Sequence, residues 1–593
     1  MAGETADARR SNWTDSLPVL RLLRTFKLAI TPERLGLALA AVVACYLVGR
    51  LLDSLWLMAD AGVVVQAQAA GRISEIEAFD RLGAANLPDW KQAASAAGRS
   101  TADAARTVEQ AVSADEVKRA RDKLDELRNA ALDALRQNTA LSASERKRQQ
   151  DELRRAIDSV RLMLAGRDAA GGVEQAVGRV LQLASEPAAR TTIESALRRQ
   201  QLRADARRSS PRGPFAALLD YECGCFAAAV RGVACGNWSF SSAAAGGPGM
   251  LSSIASGGNG VIWVVTQRPL YALCYGFLHL AVFALLGGAI CRHAAIQLTR
   301  DENPGWSAAV RFARQKYMNF LLAPLSAIGL ILIGGCVISV VSLIGALPWL
   351  GELAAGVSFG LTLVGGVVLA LLLIATVLGF PLFAPTIATE GSDMLDAVSR
   401  AFNYVSHRFW STVFYCGVLL IYGGVCFIGV RLVALLALKL SNDFAGAGMD
   451  AFWWNLNAGT DTVGKLEAMW RMPAWGELSL LPAAGGEPFW GSFFNAPLSM
   501  TETIAAWMIA AWVFLVVGLV GAFAVSFYLC GSSAMYLLLR REVDATEYEE
   551  IFYEEEADND EPDAEPKPPA PGDAGPRSTP LPVVGAPPGD AAH

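Results

Sequence analysis

The sequence predicts an all-α integral membrane protein of about six transmembrane helices, with a large extracytoplasmic, coiled-coil-like helical insert between the first two. That prediction rests on composition, on span length and on periodicity. Of the 593 residues, 53% are hydrophobic and only 18% are charged, which is more apolar than a soluble chain of this length. Six stretches reach the roughly 20 apolar residues that a helix needs to cross about 30 Å of hydrocarbon with its backbone amides satisfied internally. The polar stretch after the first of them carries helix-start signals and a 3.6-residue repeat.

The chain begins with a basic arm, residues 1–34, holding Arg9, Arg10, Arg21, Arg24, Lys27 and Arg34. The first span, 35–57, has no small-residue cleavage site and reads as a retained anchor. The other spans fall near 270–291, 318–346, 353–380, 412–438 and 504–537. Lys and Arg accumulate in the arm, in 292–316 (Arg292, Arg300, Arg311, Arg314, Lys316), in 389–411 (Arg400, Arg408) and at Arg540 and Arg541, whereas PWLGEL at 347–352 has none. The positive-inside rule then places both termini in the cytoplasm, with residues 58–268 and the loop 439–503 outside.

The insert 58–212 reads as successive helices from Val63 to Arg208. SADE (Ser113–Glu116) and SASE (Ser142–Glu145) match the capping box. Val117, Leu124, Leu127, Ala131 and Leu135 follow the first, and Leu153, Ile157, Val160 and Leu164 the second, each set forming one apolar stripe. The two helices are expected to pair as a hairpin, with GGVEQAVGRVLQLA (171–184) and ARTTIESALRRQQLRADARR (189–208) as further helices. Such a domain either offers residues 100–208 to an envelope partner or packs on itself with its charges in water.

Residues 213–269 read as an amphipathic return helix followed by a flexible loop, AAAGGPGMLSSIASGGNG, inferred from its Gly and Ser density. Cys223, Cys225 and Cys235 lie there, and an oxidising compartment permits a disulfide of Cys223 or Cys225 with Cys235. With no nearby His and no fourth Cys, a zinc site is not supplied. The remaining seven cysteines read as small apolar residues in or near spans.

Within the membrane domain, 270–541, two connections are amphipathic helices. In 390–411, Ser392 and Asp393 are good helix starters, and Met394, Leu395, Val398, Phe402, Val405 and Phe409 form one apolar face. In 300–317, Trp306, Val310, Ala313 and Tyr317 share a face with Phe320 beyond it. Both are expected to lie as interfacial elbows with that face among acyl chains. HAAIQLTRDE, PTIATEGSD and SAMYLLLRREVD each close a span with a charged cluster, and AAVRFARQKY and DAVSRAFNYV continue the first two, so the spans divide into three similar units.

The motifs DYECGCFAAAV, AICRHAAIQLTRDE, PLFAPTIATEGSDMLDAVSRAFNYVSHRFW and YLLLRREVDATEYEEIF, spread over residues 213–553, resemble a family of bacterial multi-pass membrane proteins to which no activity is assigned. The DAVSRAF elbow is also similar to elements of the membrane regions attached to glycerophosphodiester phosphodiesterases. The first resemblance implies a polytopic membrane protein; neither supplies catalytic residues.

Chemistry-bearing motifs are sparse. There is no Walker loop, no HExxH and no strand-turn-helix GxGxxG, and the chain has only four histidines. GVSFG at Gly356–Gly360 spells a nucleophile elbow but sits in an apolar helix, where Gly and Ser serve close contact. No catalytic residue, cofactor or metal is expected. A charge at mid-membrane costs about 2.5–3.5 kcal/mol on insertion scales. The polar positions worth following are therefore Arg50 and Asp53, expected to pair near the outer end of the first span, His279 in the second, Arg431 snorkelling from the fifth, and Glu390, Asp393 and Arg400 at the second elbow.

The outer loop 439–503 carries Trp453, Trp454, Trp470, Trp475 and Trp490, consistent with a lid in the headgroup region or a cap over a site. The tail 542–593 is acidic and then Pro-rich, with too little apolar surface to fold. A net charge of −7 gives no reason to expect nucleic-acid binding. The expected partner is the bilayer. The function expected from these features is a non-enzymatic envelope scaffold or accessory protein, with a transporter or channel for a small solute or lipid as the alternative.

Overall fold

The computed structural model describes residues 18–552 except 60–61, 69–70, 111–113, 138–141, 165–177, 179–189, 199–200, 202–211, 241–247, 347–349, 454–465, 467–468, 471, 474, 476–477, 479–499 and 547–549. The tail beyond 552 and the helix expected at 171–184 lie outside the described residues, apart from Gly178.

Among the described residues, six helices are long and apolar enough to cross a membrane. They are α1 (Pro32–Met58), α7 (Pro269–Arg300), α9 (Tyr317–Ser342), α10 (Leu350–Glu390), α12 (Phe409–Trp453) and α13 (Met500–Asp544). Between α1 and α7 come a β-hairpin, β1 (Val65–Gln68) and β2 (Gly71–Ser74), then α2 (Glu75–Gln110), α3 (Ala114–Gln137) and α4 (Ala143–Leu164). Two further helices, α5 (Pro214–Cys235) and α6 (Met250–Gln267), lead into α7. The elbows are α8 (Trp306–Gln315) and α11 (Met394–His407).

Two expectations need correction here. The segment after α1 is not helical from Val63: it is an antiparallel pair with Val65 opposite Ser74, and Val63 bridges to Arg212. Only then does α2 begin, at a capping box that sequence inspection passed over, with Glu77 N–H donating to Ser74 Oγ (3.3 Å) and Ser74 N–H to a Glu77 carboxylate oxygen (3.2 Å). The Gly/Ser stretch read as a flexible loop is helix from Met250 onward. Its small residues let α6 lie close against α5. A Cβ added at Gly260 would stand 2.5 Å from the Glu222 carboxylate, and one at Gly257 3.0 Å from it.

In the insert, the second capping box forms reciprocally, with Glu145 N–H to Ser142 Oγ at 3.3 Å and Ser142 N–H to Glu145 Oε2 at 3.2 Å. The first falls on Ser113, outside the described residues. The apolar stripes of α3 and α4 meet each other and the helical residues 190–198, burying Ala120, Leu124, Ile157, Val160, Ile193 and Leu197 in one cluster. The insert thus covers its own apolar faces in the described residues.

The main core lies at the elbow end of the bundle, where α1, α7, α10 and α13 are gathered around α8 and α11. The apolar faces of both elbow helices turn into this core, not into lipid. Ala309, Phe312 and Ala313 of α8 and Ala397, Val398, Ala401, Tyr404 and Val405 of α11 are buried, while Leu395, placed on the lipid-directed face, is 64% exposed. An amphipathic pattern gives the direction of the apolar face but not the identity of its neighbour.

The three units have a shared geometry. Each of α7, α10 and α13 stops directly before a residue with left-handed backbone, at Asp301 (φ 58), Gly391 (φ 63) and Ala545 (φ 53). This is a helix-terminating conformation that residues other than Gly adopt infrequently. In the first two units an elbow helix follows, its C-cap is basic (Lys316, Arg408) and the next span starts at an aromatic residue (Tyr317, Phe409).

Candidate functional site: an apolar cavity with one carboxylate

The residues singled out from the sequence separate into two groups at opposite ends of the bundle. At the elbow end, Glu390 and Arg400 come together. Arg400 pairs with Glu390 (2.6 Å) and with Asp396 one turn earlier (3.0 Å), and Glu390 also takes Arg540 (3.3 Å) and the Tyr536 hydroxyl (2.5 Å). Asp393 is the N-cap residue of α11 by its backbone, but its side chain accepts from Asn319 of α9 (3.3 Å). Nearby, the hydroxyls of Tyr404 and Tyr415 donate to Asp544 and Glu542 at the end of α13. The residues missed by sequence reasoning here are buried charges whose partners are remote in the chain. Arg34 bonds Gln297 and approaches Cys530, His293 meets Glu33 at 2.5 Å, and Arg292 donates to the Ala388 carbonyl (2.8 Å) with its guanidinium 4.3 Å from the Phe312 ring centroid. This network ties helix ends to one another; its role is fastening.

At the insert end, the Arg50 charge acts on Asp53, whose carboxylate is also taken by the backbone of another helix. Its two carboxylate oxygens accept the N–H groups of Phe215 (2.7 Å) and Ala216 (2.9 Å), so α1 caps the start of α5 in place of a residue from α5 itself. Gly213 is required by this approach, because a Cβ there would sit 2.0 Å from the Asp53 carboxyl carbon. Arg431 does not snorkel. It is buried, with its guanidinium 4.3 Å from the Trp475 ring centroid and hydrogen-bonded to the Trp475 carbonyl, so part of the outer loop covers it. Trp470 packs with Leu438, Leu466, Leu478, Val513 and Val517, while Trp454 and Trp490 lie outside the described residues. His279 is exposed on α7, flanked by the rings of Tyr275 (5.7 Å) and Phe283 (4.7 Å), and converges on no other polar group. The GVSFG serine bonds back to Ala355 (3.3 Å) within α10.

The expected disulfide is not formed. None of the ten cysteines is in a disulfide, and Cys223, Cys225 and Cys235 belong to one continuous helix, α5. Ten or more residues along a helix rising about 1.5 Å each separate the Cα atoms by roughly 15 Å or more, against the roughly 7 Å limit for a bridge. Among the described residues no group of three or more metal-binding side chains converges.

Between the two ends lies an apolar cavity of about 650 Å³, within the range of about 300–1,000 Å³ common for small-molecule sites. One wall is the α5–α6 hairpin, with Phe226, Val230 and Val233 facing Met250, Ile254 and Gly258; the other is made by α12 and α13, through Leu419, Gly423, Phe427, Phe523 and Phe527, with Pro381 of α10. Ile254, Val261, Leu420 and Tyr528 on its lining are exposed, so the cavity opens at the surface. Small residues make the space: a Cβ added at Gly258 would meet nothing within 4 Å.

Among the described residues on this lining, Glu222 is the one with a carboxyl, its Oε2 lying beside the lining residue Gly257 and its Oε1 beside Gly260. Its Oε1 is buried without a hydrogen-bond partner among the described residues. Burial pushes the carboxyl up from its ordinary 4.5 to about 7. Neighbouring donors are engaged elsewhere. Tyr221 donates to the Ser256 carbonyl (3.2 Å), while Ser256 Oγ and Asn259 donate to Asp80 of α2 (3.1 and 2.7 Å). Burial likewise raises the Cys225 thiol to about 11, the nearby Glu222 charge adding to it. Sequence inspection quoted Glu222 within DYECGCF without weighing it; the glycines at 257 and 260, three apart on the facing helix, are the signal that marks its place.

Comparison with family models, with curated proteins and with solved structures finds no match for this chain.

Proposed function

We propose that the protein binds the hydrocarbon chain of a membrane amphiphile in the cavity between the α5–α6 hairpin and α12–α13, and acts as a non-enzymatic lipid-handling component of a bacterial cytoplasmic membrane. The observation that carries this reading is the cavity itself, a surface-open apolar space of about 650 Å³ beside membrane-length helices. An apolar cavity gains dispersion contacts from a chain and little from water. The reading favours the transport class of the two expected from sequence. A scaffold that docks a partner through residues 100–208 has less support, since the apolar stripes of α3 and α4 are already covered.

The test is purification in mild detergent, organic extraction and mass spectrometry of co-purifying lipid, for the native chain and for Gly258→Trp, which fills the cavity. Leu371→Trp, on an exposed face of α10, is the control. Lipid retained by the native chain and the control but lost from Gly258→Trp supports the reading; equal lipid in all three sinks it. The proposed orientation, both termini cytoplasmic, is checked separately with a cysteine introduced at exposed Arg148. An impermeant maleimide should label it without disruption of the inner membrane.

A further inference from the structure

We propose that Glu222 is the head-group receptor of the cavity, selecting amphiphiles whose polar head is a primary ammonium. The inference rests on the chain-binding reading above and adds to it a ligand class.

A buried carboxylate oxygen with no donor forfeits its hydration without compensation, and proteins ordinarily satisfy such groups. Glu222 has been left one that the surrounding residues do not supply. The donors within reach of α6 and α5 are turned to other acceptors, Ser256 and Asn259 to Asp80, and Tyr221 to a backbone carbonyl. The facing helix is cut back to glycine at 257 and 260 where the carboxyl lies, so its place is made by the fold. A ligand entering with its chain along Phe226, Val230 and Ile254 brings its head toward Glu222 Oε2, the carboxylate oxygen beside the cavity-lining Gly257.

Charge decides which head fits. Among the described residues no Lys, Arg or His lines the cavity, so a carboxylate or phosphate head would meet Glu222 with no counter-charge there. A hydroxyl offers one neutral hydrogen bond. A quaternary ammonium has charge but no N–H to donate. A primary ammonium has three donors and forms charge-assisted bonds about twice as strong as neutral ones. The groups facing Glu222 reinforce that preference. Asp80 and Glu77 on α2 are acidic and act on the adjoining Cys225. Tyr221 and Cys225 on α5 are held neutral, their protons retained by burial. Tyr528 of α13 and Cys416 of α12 are the other titratable side chains on the lining.

The experiment uses the full chain in phosphatidylcholine nanodiscs and a photoactivatable dodecylamine, with labelled peptides mapped by mass spectrometry. Dodecylamine, dodecanol, dodecanoate and dodecyltrimethylammonium compete for labelling. The expected result is labelling of α5 and α6, with dodecylamine competing about tenfold better than dodecanol, the factor that roughly 1.4 kcal/mol supplies. Because the carboxyl is charged only above about pH 7, the amine's advantage should grow as pH is raised through that value. Glu222→Gln should still take dodecanol but lose the advantage, and Glu222→Asp should keep part of it. An amine advantage unchanged in Glu222→Gln, or no amine advantage in the native chain while dodecanol competes, overturns the role of Glu222 and leaves chain binding standing. Labelling undiminished in Gly258→Trp overturns the chain-binding reading, and this inference with it.

Discussion

The two ends of the bundle treat buried charge in opposite ways. At the elbow end Glu390 is held by Arg400, Arg540 and Tyr536, and its 11% exposed side chain has a partner for each direction. At the cavity Glu222 is a carboxylate of the same kind with an orphaned oxygen and an apolar surrounding. The first arrangement fixes helix ends in one geometry, since losing any partner leaves an uncompensated charge. The second leaves a carboxylate oxygen without a donor, the feature the proposed head-group site draws on.

The strongest way to break this comparison is to neutralise both carboxylates and ask whether the signs differ. Glu390→Gln should destabilise the protein by about 3 kcal/mol, because Arg540 and Arg400 lose a buried partner; reversible unfolding in mixed micelles measures it. A change near zero would make the elbow network ornamental. Next in size, Asp53→Ala removes both acceptors at the start of α5 and should cost about 1–3 kcal/mol, with earlier proteolysis in 213–250 than elsewhere as its local signature. Glu222→Gln should act in the other direction, raising stability by about 1 kcal/mol above neutral pH. The sign follows from proton linkage. With its carboxyl raised from 4.5 to about 7, the folded state holds more protons than the unfolded across that interval, so stability falls as pH rises through it. The variant should remove that dependence, and unfolding curves at several pH values read it directly. The smallest effect is expected from Gly258→Trp, within about 0.5 kcal/mol, since nothing stands within 4 Å of its added Cβ; a large loss would mean the space is already used by the protein.

The six spans were legible because length and apolar composition are sufficient to identify a membrane helix, and the elbows because their periodicity is strong. What covers an apolar face was not legible, so α8 and α11 were expected in lipid and are found in the core. The Gly/Ser helix α6 was lost for a related reason: small residues mark a loop in water but close contact between helices, and only the neighbour decides which. The proposed disulfide failed because three cysteines drawn together in sequence were stretched apart by a helix. Of the sites, Glu390 and Arg400 were both picked out as polar positions at one elbow, but their pairing is visible only in the structure. Glu222 was missed because what distinguishes it is the absence of a partner, and a missing contact leaves no local pattern.

The cavity walls come from three separated parts of the chain, around residues 222–261, 381–427 and 523–535. During synthesis the first part emerges early, yet its apolar side stays open until the last helix has been made. A nascent chain stopped before Met500 has the hairpin and five of the six spans but only part of the enclosure. The cavity therefore closes last, once translation has run through Met500–Asp544.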